Sequence, residues 1–240
     1  MTKNILLTEI MENDVSEDRS PGWKTRQMET EYTQIAVNFV NALHAQGFLK
    51  LEFDSSDEHI EKILLRLTAT NQSFGKLYEI ASDSEKFPPF VEAMKPFGFT
   101  EDDVMRIFTG LFVHCKLEEF EFLKTIMLMI TEKKQYGETQ RGAPKEIHGS
   151  ETLGQLLAKY DELIPDNKIR DIVNNKLRTV LGHGKWWTKS LHFCYVDKND
   201  IEHEYDIPEL LLEGIQIATF VRIFYEKGFE RATQIKRGLG

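Results

Sequence analysis

The chain has 240 residues, 41% hydrophobic and 29% charged, a balance that suits a globular protein with a sizeable core and excludes fibrous or low-complexity classes. A net charge of −9 and a pI near 5.4 argue against indiscriminate nucleic-acid binding. Two cysteines, Cys115 and Cys194, both among apolar neighbours, exclude a disulfide framework and a cysteine-rich metal centre; both are expected to be buried free thiols.

Residues 1–25 are polar and acidic, broken by "SEDRSPG", and read as a mobile N-terminal tail; residues 26–240 read as one helical domain. No charged-then-apolar leader opens the sequence, and the most apolar run, "FLKTIMLMI", is too short to span a bilayer. A cytoplasmic protein without a membrane partner is expected.

From Met28 the pattern turns helical: Tyr32, Ile35, Ala36, Phe39, Val40 and Leu43 recur at three and four, and Gly47 stands where a helix would stop. A second stripe runs from Ile60 through Ile63, Leu64, Leu67, Phe74, Leu77 and Tyr78, after "DSSDEH". "KFPPF" and "KPFGF" bracket a short helix or turn, because proline cannot continue the hydrogen-bond ladder. Thr100 and Asp103 form a capping-box start for a helix that is apolar on more than one face, and so is expected at the centre of the bundle. His114 in that helix reads as a core or boundary histidine, and the acids of "EEFE" at 118–121 read as mostly solvent-facing.

"QYGETQRGAPKEIHG" reads as a loop. "SETLGQLLAKY" is a short helix, and "IPDNKIRDIVNNKLRTVLGHG" a longer one capped by Asp166, with the stripe Ile169, Ile172, Val173, Leu177, Val180 and Leu181. The period then changes. "SLHFCYV" and "IEHEY" alternate around "DKND", a β-hairpin near residues 189–205 that carries His192 and His203 as exposed strand histidines. Asp206 caps a last helix, with Pro208 in its first turn and Gly228 at its stop. The class is mostly α: a bundle of about five or six helices with one small hairpin.

Much chemistry is excluded. Neither common glycine-rich phosphate loop occurs, nor GxSxG, nor HExxH, and His148 in "EIHGSE" has no second ligand nearby; no metal and no cofactor are called for. One stretch stands apart. "NNKLRTVLGHGKWW", residues 174–187, puts Arg178 five positions before His183, between glycines, at a helix end. Lys168, Arg170, Lys176, Arg178, Lys185 and Lys189 against Asp166 and Asp171 make its neighbourhood basic within an acidic chain. The bare pattern, an arginine, four to six residues and a histidine, is cheap, since Arg141 and His148 also match it in a loop.

The layout of that stretch resembles the HEPN superfamily of helical domains: a helix ending in an Arg–x4–6–His pair, a two-stranded hairpin, and a closing helix here beginning "IPELLLEGI". The resemblance covers about residues 150–235. It implies a metal-independent RNA endonuclease, often a dimer with its motif helices side by side, and in a defence or stress setting a toxin-like protein with RNA and a protein partner or antitoxin. In active members the residue after the arginine is usually Asn, Asp or His; here it is Thr179. The implied catalytic pair is Arg178 and His183, with Asn174, Lys176 and Lys185 as candidate substrate-binding residues. The residue types fit. Histidine can move a proton near neutral pH, and arginine can hold a phosphate with two donors. Five residues correspond to about 140° around an ideal helix, so the two share no face unless Gly182 and Gly184 end or distort the helix at His183, or two chains contribute one residue each. Trp186 and Trp187 follow, one suited to the core and one to stacking. The alternative is a helical interaction or sensing module, in which His183 only favours the negative end of its helix.

Overall fold

The computed structural model describes residues 21–53, 58–165, 167–173, 175–197 and 199–238. The expected Asp166 cap, Asn174, and most of the expected N-terminal tail lie outside these residues.

The architecture is mostly α. Helix α1 (Pro21–Ala45) begins with proline, whose fixed φ suits a first turn, and ends before Gly47, which takes φ +68. Helix α2 (Glu58–Ala81) follows, then α3 (Phe87–Met94), with two prolines in its first turn, a 3₁₀ turn (Lys95–Phe97) and Gly98 at φ +84. The long helix α4 (Glu101–Met129) opens on the expected capping box: Thr100 Oγ1 accepts from the Asp103 N–H, and the Asp103 carboxylate accepts from the Thr100 N–H at 2.9 Å.

The segment expected to be a loop contains a second hairpin, β1 (Gln135–Glu138) and β2 (Pro144–Glu146), joined through Gly142 at φ +75. Its strands are short, polar and bulged between Gln135 and Gly137, so they carry none of the apolar alternation by which strands are recognised. Helix α5 (Leu153–Leu163) has its own capping box between Thr152 and Gln155.

The expected long helix from Asp166 is two helices: a single turn, α6 (Ile169–Ile172), and α7 (Asn175–His183). The expected hairpin is a three-stranded antiparallel sheet, β3 (Trp186–Lys189), β4 (His192–Val196) and β5 (Glu202–Asp206), in that order. Ser190, expected to start a strand, is instead in the tight β3–β4 turn at φ +53. Helix α8 (Ile207–Ile223) starts as expected, with Asp206 accepting from the Glu209 N–H at 2.7 Å and Pro208 in the first turn. Gly228 does not stop it. The chain continues through a π-helical turn (Phe224–Phe229) into α9 (Glu230–Lys236). Gly228 serves packing instead: a Cβ there would meet Val40 Cγ2 at 3.6 Å and the Ala36 Cβ at 3.7 Å. The described chain thus has nine α-helices, more than the five or six expected, because short and broken helices leave weak periodicity.

Helix α8 is the hub. It packs on α2, α4 and α1, while the π turn lies along α1 and the three-stranded sheet rests on α4 and the start of α8. The core is continuous, running from Phe39, Leu43 and Tyr160 through Phe112 and Leu123 to Phe193, Phe220 and Phe224. Phe39 meets Tyr160 edge-on at 4.9 Å and Phe224 at 5.6 Å. Cys115 and Cys194 are buried free thiols, and burial pushes both above the ordinary thiol range. Among the described residues no helix is long and apolar enough to cross a membrane.

Candidate functional site

Helix α7 presents Leu177, Val180 and Leu181 to the core, all under a tenth exposed. That stripe fixes the direction of every other residue on the helix. Arg178 is half-buried on the flank facing α4; desolvation pulls its guanidinium below the ordinary arginine range, while the nearby Glu121 carboxylate pulls the other way. Thr179 is exposed.

His183 is the last helical residue and is exposed. Of the two flanking glycines, the helix end explains Gly184. Gly184 adopts the left-handed conformation at φ +62; its N–H donates to the Leu181 carbonyl at 3.3 Å and the Lys185 N–H to the Val180 carbonyl at 3.1 Å. This pair of bonds is a Schellman motif, which satisfies carbonyls that have run out of helical partners. Gly182 stays helical.

The helix therefore continues regularly from Arg178 to His183, and the two residues stand about 140° apart around its axis. Of the two routes by which the pair could converge, the glycines end the helix after His183 without distorting it before, and the structure does not bring the pair onto one face of α7. Of the candidate substrate-binding residues, Lys185 is exposed between α7 and β3; Lys176 lies in the first turn of α7.

The sheet beyond has two distinct faces. Trp186, Phe193, Tyr195, His203 and Tyr205 form the inner face: Trp186 lies 5.9 Å from Phe193, which reaches Phe112 of α4 at 6.4 Å. Of the two expected exposed histidines, His203 is half-buried, stacked on Tyr195 at 4.7 Å and 3.3 Å from the Asp197 carboxylate. His192 is on the outer face, 3.4 Å from Glu204. Trp187 and Lys189 share that outer face and are exposed.

Among the other titratable groups, His114 and Glu119 depart from the sequence expectation. His114 is on the surface, its side chain 73% exposed and 3.8 Å from Glu118. His148 accepts or donates to Ser150 Oγ at 2.8 Å, and no group of three or more potential metal ligands occurs among the described residues. Beside it, Glu151 is buried. Burial alone would raise its carboxyl, but Lys159 at 2.6 Å and the N–H groups of His148 and Gly149 bring it down to about 2.

"EEFE" is not wholly solvent-facing. Glu119 is fully buried and paired with the equally buried Lys116. The Lys116 ammonium also donates to the Gly214 carbonyl at 2.5 Å and lies 5.9 Å from the ring centroids of Phe74 and Phe112. Glu119 Oε1 has no hydrogen-bond partner among the described residues, and burial pushes the carboxyl up against the pull of Lys116. The signal was present in the sequence: Phe112, Lys116, Glu119 and Leu123 occupy one helical stripe.

These groups offer two kinds of chemistry. The Lys116–Glu119 pair is sealed in the core and suits structure. The end of α7 with β3 is open to water, carries His183, and gathers Lys185, Trp187 and Lys189 within a few residues. Comparison with protein-family models, with curated proteins and with solved structures finds no match.

Proposed function

We propose that the chain is a HEPN-like, metal-independent RNA endonuclease of a defence or stress system, cytoplasmic and acting as a homodimer. The observation that carries this reading is the exposed His183 at a regular helix end, followed at once by a basic, aromatic strand. An imidazole there can take a proton from a ribose 2′-hydroxyl or give one to the leaving oxygen. An arginine guanidinium can hold the phosphate and stabilise its developing charge. Because Arg178 and His183 are on different flanks of α7, the composite site draws its arginine from one protomer and its histidine from the partner.

The test is RNA cleavage by the purified chain in the presence of chelator. His183→Ala and Arg178→Lys are each expected to abolish cutting while the melting temperature holds. Mixing the two inactive variants is expected to restore part of the activity, since a mixed dimer regenerates one intact site. Cleavage that persists in both single variants refutes the assignment.

A second reading has its own support. The half-buried Arg178, beside Glu121 and on another flank from His183, suits a helical interaction module without catalysis. In that case the wild-type chain cuts no RNA, and His183→Ala changes neither stability nor partner binding.

A further inference from the structure

We propose that the outer face of β3 is a stacking platform for single-stranded RNA, on which Trp187 takes a base and Lys185 and Lys189 hold the neighbouring phosphates. The tandem tryptophans make the case. Strand alternation sends Trp186 inward onto Phe193 and Trp187 outward, where it is 39% exposed. Other apolar side chains are more exposed, Phe97 and Leu65 among them; what marks Trp187 is an aromatic face presented to solvent between two exposed lysines.

Charge identifies that occupant. Lys189 is on the same face two residues on, and Lys185 is exposed two residues before. Opposite them across the sheet, His192 is adjacent to Glu204, and Glu202 also lines β5. The outer face is thus basic along β3 and acidic along β5, so a polyanion is drawn to one border only. Among the described residues β3 pairs with β4 alone, and its other edge is open. A ring flanked by ammonium groups along an open edge suits a strand with unpaired bases: every base has a face to stack, and each phosphate meets a cation. A duplex hides its bases and does not fit this geometry. The strand also starts three residues after His183, so a base on Trp187 places adjacent phosphates near the exposed imidazole. This inference rests on the nuclease reading for the identity of the polymer.

The probe is a fluorescent 12-nucleotide single strand with 2′-deoxy sugars, which binds but offers no hydroxyl to attack. Wild-type protein is expected to bind it and to prefer it to a duplex of the same sequence. Trp187→Leu keeps an apolar cover over Cys194, its cross-strand neighbour, and removes the aromatic face. It is expected to weaken binding about tenfold, with an unchanged melting temperature, whereas Trp187→Phe stays within about threefold. An abasic version of the probe should bind wild type and Trp187→Leu equally. Lys189→Gln should weaken both probes and lower the salt dependence.

Equal binding of the normal probe by wild type and Trp187→Leu overturns the platform, as does absence of binding by wild type. The two proposals fail separately. Cleavage with no effect of Trp187→Leu leaves the nuclease without its platform. Base-dependent binding with no cleavage of RNA leaves the platform without the nuclease. Preferential capture of an acidic protein over the oligonucleotide overturns the choice of RNA.

Discussion

Replacing Lys116 with methionine keeps most of the stem volume in the core but removes the ammonium that faces Glu119. The carboxylate would then keep a charge in a dry site or take up a proton. Burial already pushes Glu119 above its ordinary 4.5, with Lys116 opposing. A group raised on folding contributes most to stability below its unfolded value, and that contribution is lost as the pH rises. Without Lys116 the rise is larger, so the damage grows with pH. Holding the carboxyl neutral costs about 1.4 kcal/mol per pH unit, which from 4.5 to pH 7 caps this loss at about 3.5 kcal/mol. For a chain of this size the cap corresponds to a fall in melting temperature of roughly 7–14 °C. Urea denaturation at pH 5 and pH 7 is the assay. The loss should be about 2–3 kcal/mol at pH 7 and below about 1 kcal/mol at pH 5. A Lys116→Met/Glu119→Met double variant should recover most of it, because a buried pair is often replaceable by apolar side chains although neither half is. A small loss, equal at both pH values, would show that the pair is solvated and refute the reasoning.

Two further outcomes follow from local geometry. Gly184→Ala introduces a side chain at φ +62 with no neighbour within 4 Å of the new Cβ, so only backbone strain opposes it; thermal melts should show a loss of about 1–2 kcal/mol. Glu151, held down to about 2 by Lys159 and backbone N–H groups, adds stability above its ordinary 4.5 that is lost as the pH falls toward 2; Glu151→Gln should flatten that part of an acid-denaturation profile.

Local chemistry was the most legible part of the sequence. The Thr100 and Asp206 caps and the Gly47 stop could be read directly, because each depends on side chains within a few residues of one helix end. Features set by distant partners could not. Gly228 reads as a stop until Ala36 and Val40 of α1 are seen against it. β1 and β2 lack an apolar face, and β3 begins with two tryptophans whose adjacency masks the alternation that separates them. Lys116 and Glu119 look solvated because their types are usually exposed, although their stripe positions are those of Phe112 and Leu123. At the candidate site the sequence located Arg178 and His183 on one helix end, and its ideal-helix angle already separated their flanks. What it left open was whether the glycines end or distort the helix at His183, and the Schellman bonds show that Gly184 ends it while Gly182 stays helical.

Gly228 against Ala36 and Val40 has a consequence for biosynthesis. The first described helix finds its partners near the far end of the chain: Tyr32 meets Phe220, Glu29 pairs with Arg222, and Asn41 accepts from Arg231. During translation Phe39 can already meet Tyr160, but the part of α1 that faces the closing segment must wait, uncovered, until that segment leaves the ribosome. A stalled or truncated product lacking that segment therefore presents Ala36 and Val40 to chaperones and proteases.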